Sequence, residues 1–220
     1  MSKINEPARR PYLARGAGVK RCETCRLAVE SCICAHQSKV TANCEFWLLM
    51  HHNEFYKPTN TGKLIADSIS ATRVFEWSRT EPPQALLDAL NDPAYFPCLV
   101  FPEGDDYQER MVERAPADGR IPAFIILDGT WRQARRMFRH SRYLQHLPVI
   151  EPKSDRVSSY TLRRSKVAHH LCTAEVAIAL LELQQDEVAA SHLEGYFERF
   201  NREYFATRRK WDREGDKVEA

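Results

Sequence analysis

The 220-residue chain carries 32 Lys or Arg against 30 Asp or Glu, a net charge of +2, and 43% hydrophobic residues. That length allows a sizeable core in one main domain with a small appendage, and the balance of charge and apolar content excludes a disordered or fibrous chain. No apolar run approaches the roughly 20 residues of a membrane span, and residues 1–18 are polar and basic without the apolar centre of a secretory signal, so a soluble, cytoplasmic protein is expected.

The near-neutral total hides two basic segments. Residues 128–170 hold ten Lys or Arg and three Asp or Glu, and residues 1–26 hold seven and two. Such clustering points to a surface that faces a polyanion, nucleic acid first among them, with a solvated helix face as the alternative. Residues 1–21, ending in Lys20 and Arg21, read as a basic arm punctuated by Pro7, Pro11, Gly16 and Gly18. Cys22-x2-Cys25-x6-Cys32-x-Cys34 follows, four of the seven cysteines in thirteen residues. In a reducing compartment that spacing favours a metal over disulfides, and four thiolates close a structural tetrahedral zinc shell. His36 can replace one cysteine, and free thiols or redox-labile pairs are the other reading. Cys44, Cys98 and Cys172 lie in apolar or mixed runs and read as small buried residues. The expected division is residues 1–40, arm and metal module, and residues 41–215, main domain.

Phe46–Met50 is a buried strand that runs into a polar loop, His51 to Gly62, after which Thr61 caps a helix carrying Leu64, Ile65 and Ile69. His51 and His52 are adjacent on an extended chain and point to opposite sides, so they are not a metal pair. Arg73–Trp77 reads as a short strand, Pro82 and Pro83 open a helix with Leu86, Leu87 and Leu90, and Pro97–Phe101 is a strand ending in an acidic loop. Ala123–Leu127 is a third buried strand, broken by Asp128 and Gly129. Thr130 caps the next helix, in which Trp131, Ala134 and Phe138 recur at helical spacing while Arg132, Arg135, Arg136 and Arg139 fall largely on the opposite face. Asp128 thus sits at the carboxyl end of a buried strand, where α/β sheets bind ligands; an ordinary strand-to-helix turn is the alternative. His146–Ile150 is a short strand, Asp155 to Arg164 a basic loop, and helices begin near Thr173 and Leu193, the last alternating aromatic and basic residues. The alternation predicts an α/β fold with a mainly parallel sheet flanked by helices. With neither G-x-G-x-x-G nor a phosphate-loop signature, a Rossmann dinucleotide site is not supported.

Asp128-Gly129-Thr130-Trp131 resembles the D-x-T-W signature of DTW-domain proteins. The cysteine pattern, Lys57-Pro58-Thr59-Asn60-Thr61-Gly62, Tyr160-x-Leu162-Arg163 and Leu171-Cys172-Thr173-Ala174-Glu175 look like that family's other blocks in its order, over about residues 20–185. The resemblance implies a SPOUT-like fold with a C-terminal trefoil knot. It also implies transfer of the 3-amino-3-carboxypropyl group of S-adenosylmethionine to N3 of a tRNA uridine (variable loop, position 47), with release of methylthioadenosine. For that reaction Asp128 is the candidate base or orienting group for the N3 proton, with Thr130 beside it. Arg163 offers a fork for the donor's carboxylate; Glu175 is a partner for its ammonium or else helix support. Asn60, Thr61, Leu127 and Thr173 are candidate cofactor contacts, and Trp131 is a stacking surface or a core anchor. Lys20, Arg21, Arg132, Arg135 and Arg136 are candidates to grip tRNA. A SPOUT-type RNA methyltransferase and a non-catalytic zinc-bearing RNA-binding module remain as alternatives, and a monomer is expected.

Overall fold

Two apolar runs without alternation, Phe46–Met50 and Ala123–Leu127, make the central strands, and every residue in them is buried. A parallel strand covered on both faces requires that pattern. The structure, a computed structural model, describes residues 19–152 and 171–215, with side chains to residue 208. Its five strands, β1 (Glu45–His51), β2 (Thr72–Trp77), β3 (Tyr95–Val100), β4 (Ile121–Asp128) and β5 (Val149–Ile150), form one parallel sheet in the order β2-β1-β4-β3-β5. Five helices accompany them: α1 (Gly62–Ser68), α2 (Gln84–Leu90), α3 (Trp131–His140), α4 (Thr173–Leu183) and α5 (Glu187–Gly215).

Alternate strand residues serve two cores. Phe46, Leu48, Phe124 and Ile126 pack with Leu64 and Ile65 of α1, Ile178 and Leu181 of α4, and Phe197 and Phe200 of α5. Trp47, Leu49, Ile125 and Leu127 pack with Leu86 of α2 and with Ala134 and Met137 of α3. From β1 the chain moves by α1 to β2 on one side; from β4 it moves by α3 towards β5 on the other. The chain therefore reverses between neighbouring strands β1 and β4, and their carboxyl ends, near His51 and Asp128, are the switch point at which open α/β sheets take their ligands.

Two local features depart from the pattern reading. Strand β3 begins at Tyr95, so Pro97 lies inside it. The amides of Leu99 and Phe101 point to the β5 side, and β5 begins opposite Leu99, so Pro97 lacks its N–H where no strand pairs with it. Helix α5 starts at Glu187, before its first aromatic, because the Asp186 carboxylate accepts the Ala189 N–H at 3.1 Å while Gln185, at φ 59°, turns the chain out of α4. Cys25, Leu27 and Ile33 of the cysteine segment belong to the same buried cluster as β1, α1 and α5. Residues 153–170, in the C-terminal half where the resemblance implies a trefoil knot, lie outside the described residues. Among the described residues no helix is long and apolar enough to cross a membrane.

Candidate active site and metal centre

The ligand atoms of Cys22, Cys25, Cys32 and Cys34 all lie within 4.8 Å of one another. Cys22 and Cys34 Sγ are 3.6 Å apart, and Cys25 and Cys32 Sγ 3.7 Å. Four sulfurs at about 2.3 Å from a tetrahedral zinc stand about 3.8 Å from each other, so the cluster has the dimensions of a closed, structural site. The backbone N–H of Cys25, with that of Thr24, brings the Cys22 thiol down to about 6, whereas burial and the neighbouring thiols push Cys34 up to about 12. Four thiolates so close need a cation to be ionised together. His36 is not part of the cluster.

Asp128 ends β4, buried to 2% exposure on the face that Phe124 and Ile126 share with α1 and α4. Its Oδ1 accepts a hydrogen bond from Thr173 Oγ1 at 2.7 Å, and its Oδ2 accepts one from Asn60 Nδ2 at 2.5 Å. The Asn60 carbonyl oxygen in turn accepts the Lys63 N–H at 3.0 Å, and Thr61 Oγ1 accepts the Ala174 N–H at 3.4 Å. Asp128 thereby joins three segments far apart in sequence: the loop before α1, the end of β4 and the start of α4. Gly62 is part of this fit, because a Cβ there would stand 2.7 Å from Asp128 Oδ2 and 2.9 Å from its Cγ. Gly62→Ala is expected to destabilise the fold by about 1–3 kcal/mol, as overpacking does. Urea unfolding measures it, and an unchanged midpoint would mean that the carboxylate swings aside freely.

These loops are also where a family comparison falls. The model described as DTW domain matches residues 19–205. The chain belongs to the DTW-domain family. The match runs from just before the first cysteine to within α5 and so includes both the metal cluster and Asp128. DTW membership is consistent with a tRNA-modifying enzyme. No solved structure matches the chain.

In this DTW domain Asn60, Thr61, Asp128 and Thr173 come together. Thr130 caps α3: its Oγ1 accepts the Gln133 N–H at 3.3 Å, and Gln133 Oε1 accepts the Thr130 N–H at 2.7 Å. The Leu127 side chain is committed to the core beneath α3. Glu175 closes a capping box on α4, its Oε2 accepting the Cys172 N–H at 2.8 Å, so helix support is the contact the structure displays. Arg163, with Tyr160 and Leu162, lies outside the described residues. Arg132, Arg135, Arg136 and Arg139 are exposed on one helix and Lys20 is exposed beside the cysteines, whereas Arg21 donates to the Arg26 carbonyl at 3.3 Å within the module. Trp131 stands at the surface, 37% exposed, and is no core anchor.

Two residues of the site escaped sequence reading. His51 ends β1 beside Asp128, stacks on Trp77 at 5.9 Å, and receives at Nδ1 the Asn53 N–H at 3.3 Å and Gln133 Nε2 at 3.2 Å. Burial holds its pKa below the usual histidine value. Glu54, 1% exposed, lies behind Asn60. The signal for His51 was its place at the end of an apolar run; a polar loop gave none for Glu54.

Proposed function

We propose that this DTW-domain protein transfers the 3-amino-3-carboxypropyl group of S-adenosylmethionine to N3 of a tRNA uridine, the variable-loop position 47. The observation that carries this reading is the meeting of Asn60, Thr61, Asp128 and Thr173 at the carboxyl end of β4, just before the helix that carries the exposed arginines. When bound, S-adenosylmethionine supplies a carbon made electrophilic by its sulfonium, and methylthioadenosine is the leaving thioether. Asp128 receives the hydrogen bond of uridine N3–H, and each of its oxygens can accept more than one donor. Asn60 and Thr173 hold that carboxylate in one rotamer, so the base meets a fixed acceptor and the nitrogen is set in line with the scissile C–S bond. As N3 bonds to carbon, its proton leaves by Asp128. Thr61, Thr173 and the Leu127 backbone line the donor's place, and Arg163 takes the donor's carboxylate. Glu175 acts through the helix it caps, and Thr130 through the start of α3. The four cysteines hold a structural zinc.

Nucleoside mass analysis of tRNA incubated with the protein and S-adenosylmethionine tests the reading. Aminocarboxypropyluridine with methylthioadenosine is the expected pair; a methylated nucleoside with S-adenosylhomocysteine would overturn it in favour of methyl transfer.

The tRNA backbone is assigned to the α3 arginines and Lys20. Phosphate contacts make affinity fall with salt, by a slope of about 0.9 per neutralised phosphate on duplex and about 0.7 on single strands. Replacing Arg135 and Arg136 together by Ala is expected to weaken tRNA binding and to lower that slope by about 1–2. Filter binding at several salt concentrations measures both, and an unchanged slope would make the face merely solvated.

A further inference from the structure

Behind Asn60 the chain buries a second carboxylate. Glu54 ends the short turn His52–Glu54 and is 1% exposed. Its Oε1 accepts from Lys57 Nζ at 2.6 Å, and its Oε2 accepts from Asn60 Nδ2 at 3.4 Å. The same nitrogen donates to Asp128 Oδ2 at 2.5 Å. A carboxamide NH₂ has two protons, and here two carboxylates bracket it. The other end of the amide is fixed, because Asn60 Oδ1 accepts the Lys63 N–H at 3.0 Å. Turning the amide over would set its oxygen against two carboxylates and its NH₂ against a backbone N–H. Besides Asp128 itself, the orientation of Asn60 therefore has two determinants, the Lys63 N–H and Glu54, and Glu54 is the one that shares its donor with Asp128.

We propose that Glu54 is a positioning residue: it holds the Asn60 carboxamide so that Asn60 presents its N–H to Asp128, with Lys57 balancing the charge of Glu54. The inference rests on the role given above to Asp128. Burying a carboxylate is costly unless it is paired and hydrogen-bonded. Glu54 meets that condition with Lys57, yet its second oxygen is turned to Asn60. Lys57 is half-exposed and closes the outer side of the pair. A brace for the loop alone would need packing and no acceptor facing Asn60.

Two double variants separate these roles, both carrying Lys57→Met so that the Lys57 ammonium does not face the altered residue. With Glu54→Gln, the side-chain carbonyl oxygen remains to accept from Asn60. With Glu54→Leu, the volume is nearly kept and the acceptor is gone. The positioning role predicts single-turnover transfer within about threefold of wild type for the Gln pair. For the Leu pair it predicts a loss of about ten- to hundredfold, the scale of a small misplacement at a reacting centre, with tRNA affinity kept in both. A second readout is independent of the reaction: the Asn60 side-chain amide signal in ¹H–¹⁵N spectra, assigned by its loss in Asn60→Asp. Its protons are expected to exchange slowly in wild type and in the Gln pair and quickly in the Leu pair. Equal rates and equal amide exchange in the two pairs overturn the proposal, as does unfolding of the Leu pair alone, which would assign Glu54 to the core. If wild type forms no modified uridine, the proposed reaction fails while amide exchange still decides the role of Glu54.

Discussion

Asp128→Asn is expected to slow aminocarboxypropyl transfer by about 10²–10⁴-fold, the usual contribution of a positioned base. The fold should survive, for a reason visible in the bonds of Asp128. The substituted carboxamide can keep its oxygen towards Asn60 Nδ2 and turn its NH₂ towards Thr173 Oγ1, whose hydroxyl both donates and accepts. The charge and the acceptor on that side are lost. Single-turnover transfer, thermal midpoint and S-adenosylmethionine affinity distinguish the outcomes. Transfer near the wild-type rate removes the base role. A fall in midpoint and cofactor affinity in step with activity makes Asp128 a structural joint between the strand end and α4.

Removing the metal should have the largest effect on stability. Structural zinc contributes about 10–16 kcal/mol in small zinc domains at neutral pH, and this module is tied into a larger core. Cys25, Leu27 and Ile33 are buried with β1, α1 and α5, Lys63 Nζ donates to the Thr24 carbonyl at 2.9 Å, and Thr207 Oγ1 donates to Ser31 Oγ at 2.8 Å. Losing even a few kcal/mol shifts the midpoint of a chain this size by about 2–4 °C per kcal/mol. Chelation, or Cys25→Ser, is therefore expected to lower Tm by at least about 10 °C, and metal analysis of the purified protein to find one zinc per chain. Much less than one equivalent, or a Tm indifferent to chelator, would refute the site.

What could be read from the chain, and what could not, follows the range of the forces. Phe46–Met50 and Ala123–Leu127 are unmistakable because burial on both faces leaves no polar position in a strand. Asp128 stands out because it breaks such a run, and the cysteines because metal spacing is local. The register of the sheet, the bonds of Asp128 to Asn60 and Thr173, and the burial of Glu54 depend on segments that meet only in the fold. The start of α5 was legible in principle, since Asp186 is a standard cap, but the aromatic pattern begins later and drew the boundary with it. Glu175 shows the opposite limit: a carboxylate in the first turn of a helix looks the same in sequence whether it supports the helix or meets a ligand.

The bond between Ser31 and Thr207 spans 176 positions of the chain, and that separation becomes a delay during synthesis. At about 5–20 residues per second, the ribosome makes Thr207 roughly 10–35 s after Ser31. The four cysteines, close in sequence, can capture an ion as soon as they emerge, but the helix that covers them is made much later. In that interval the nascent thiols stand in solvent, where oxidation competes with metal uptake. Zinc scarcity or oxidative stress would therefore strike newly made chains and spare those already folded.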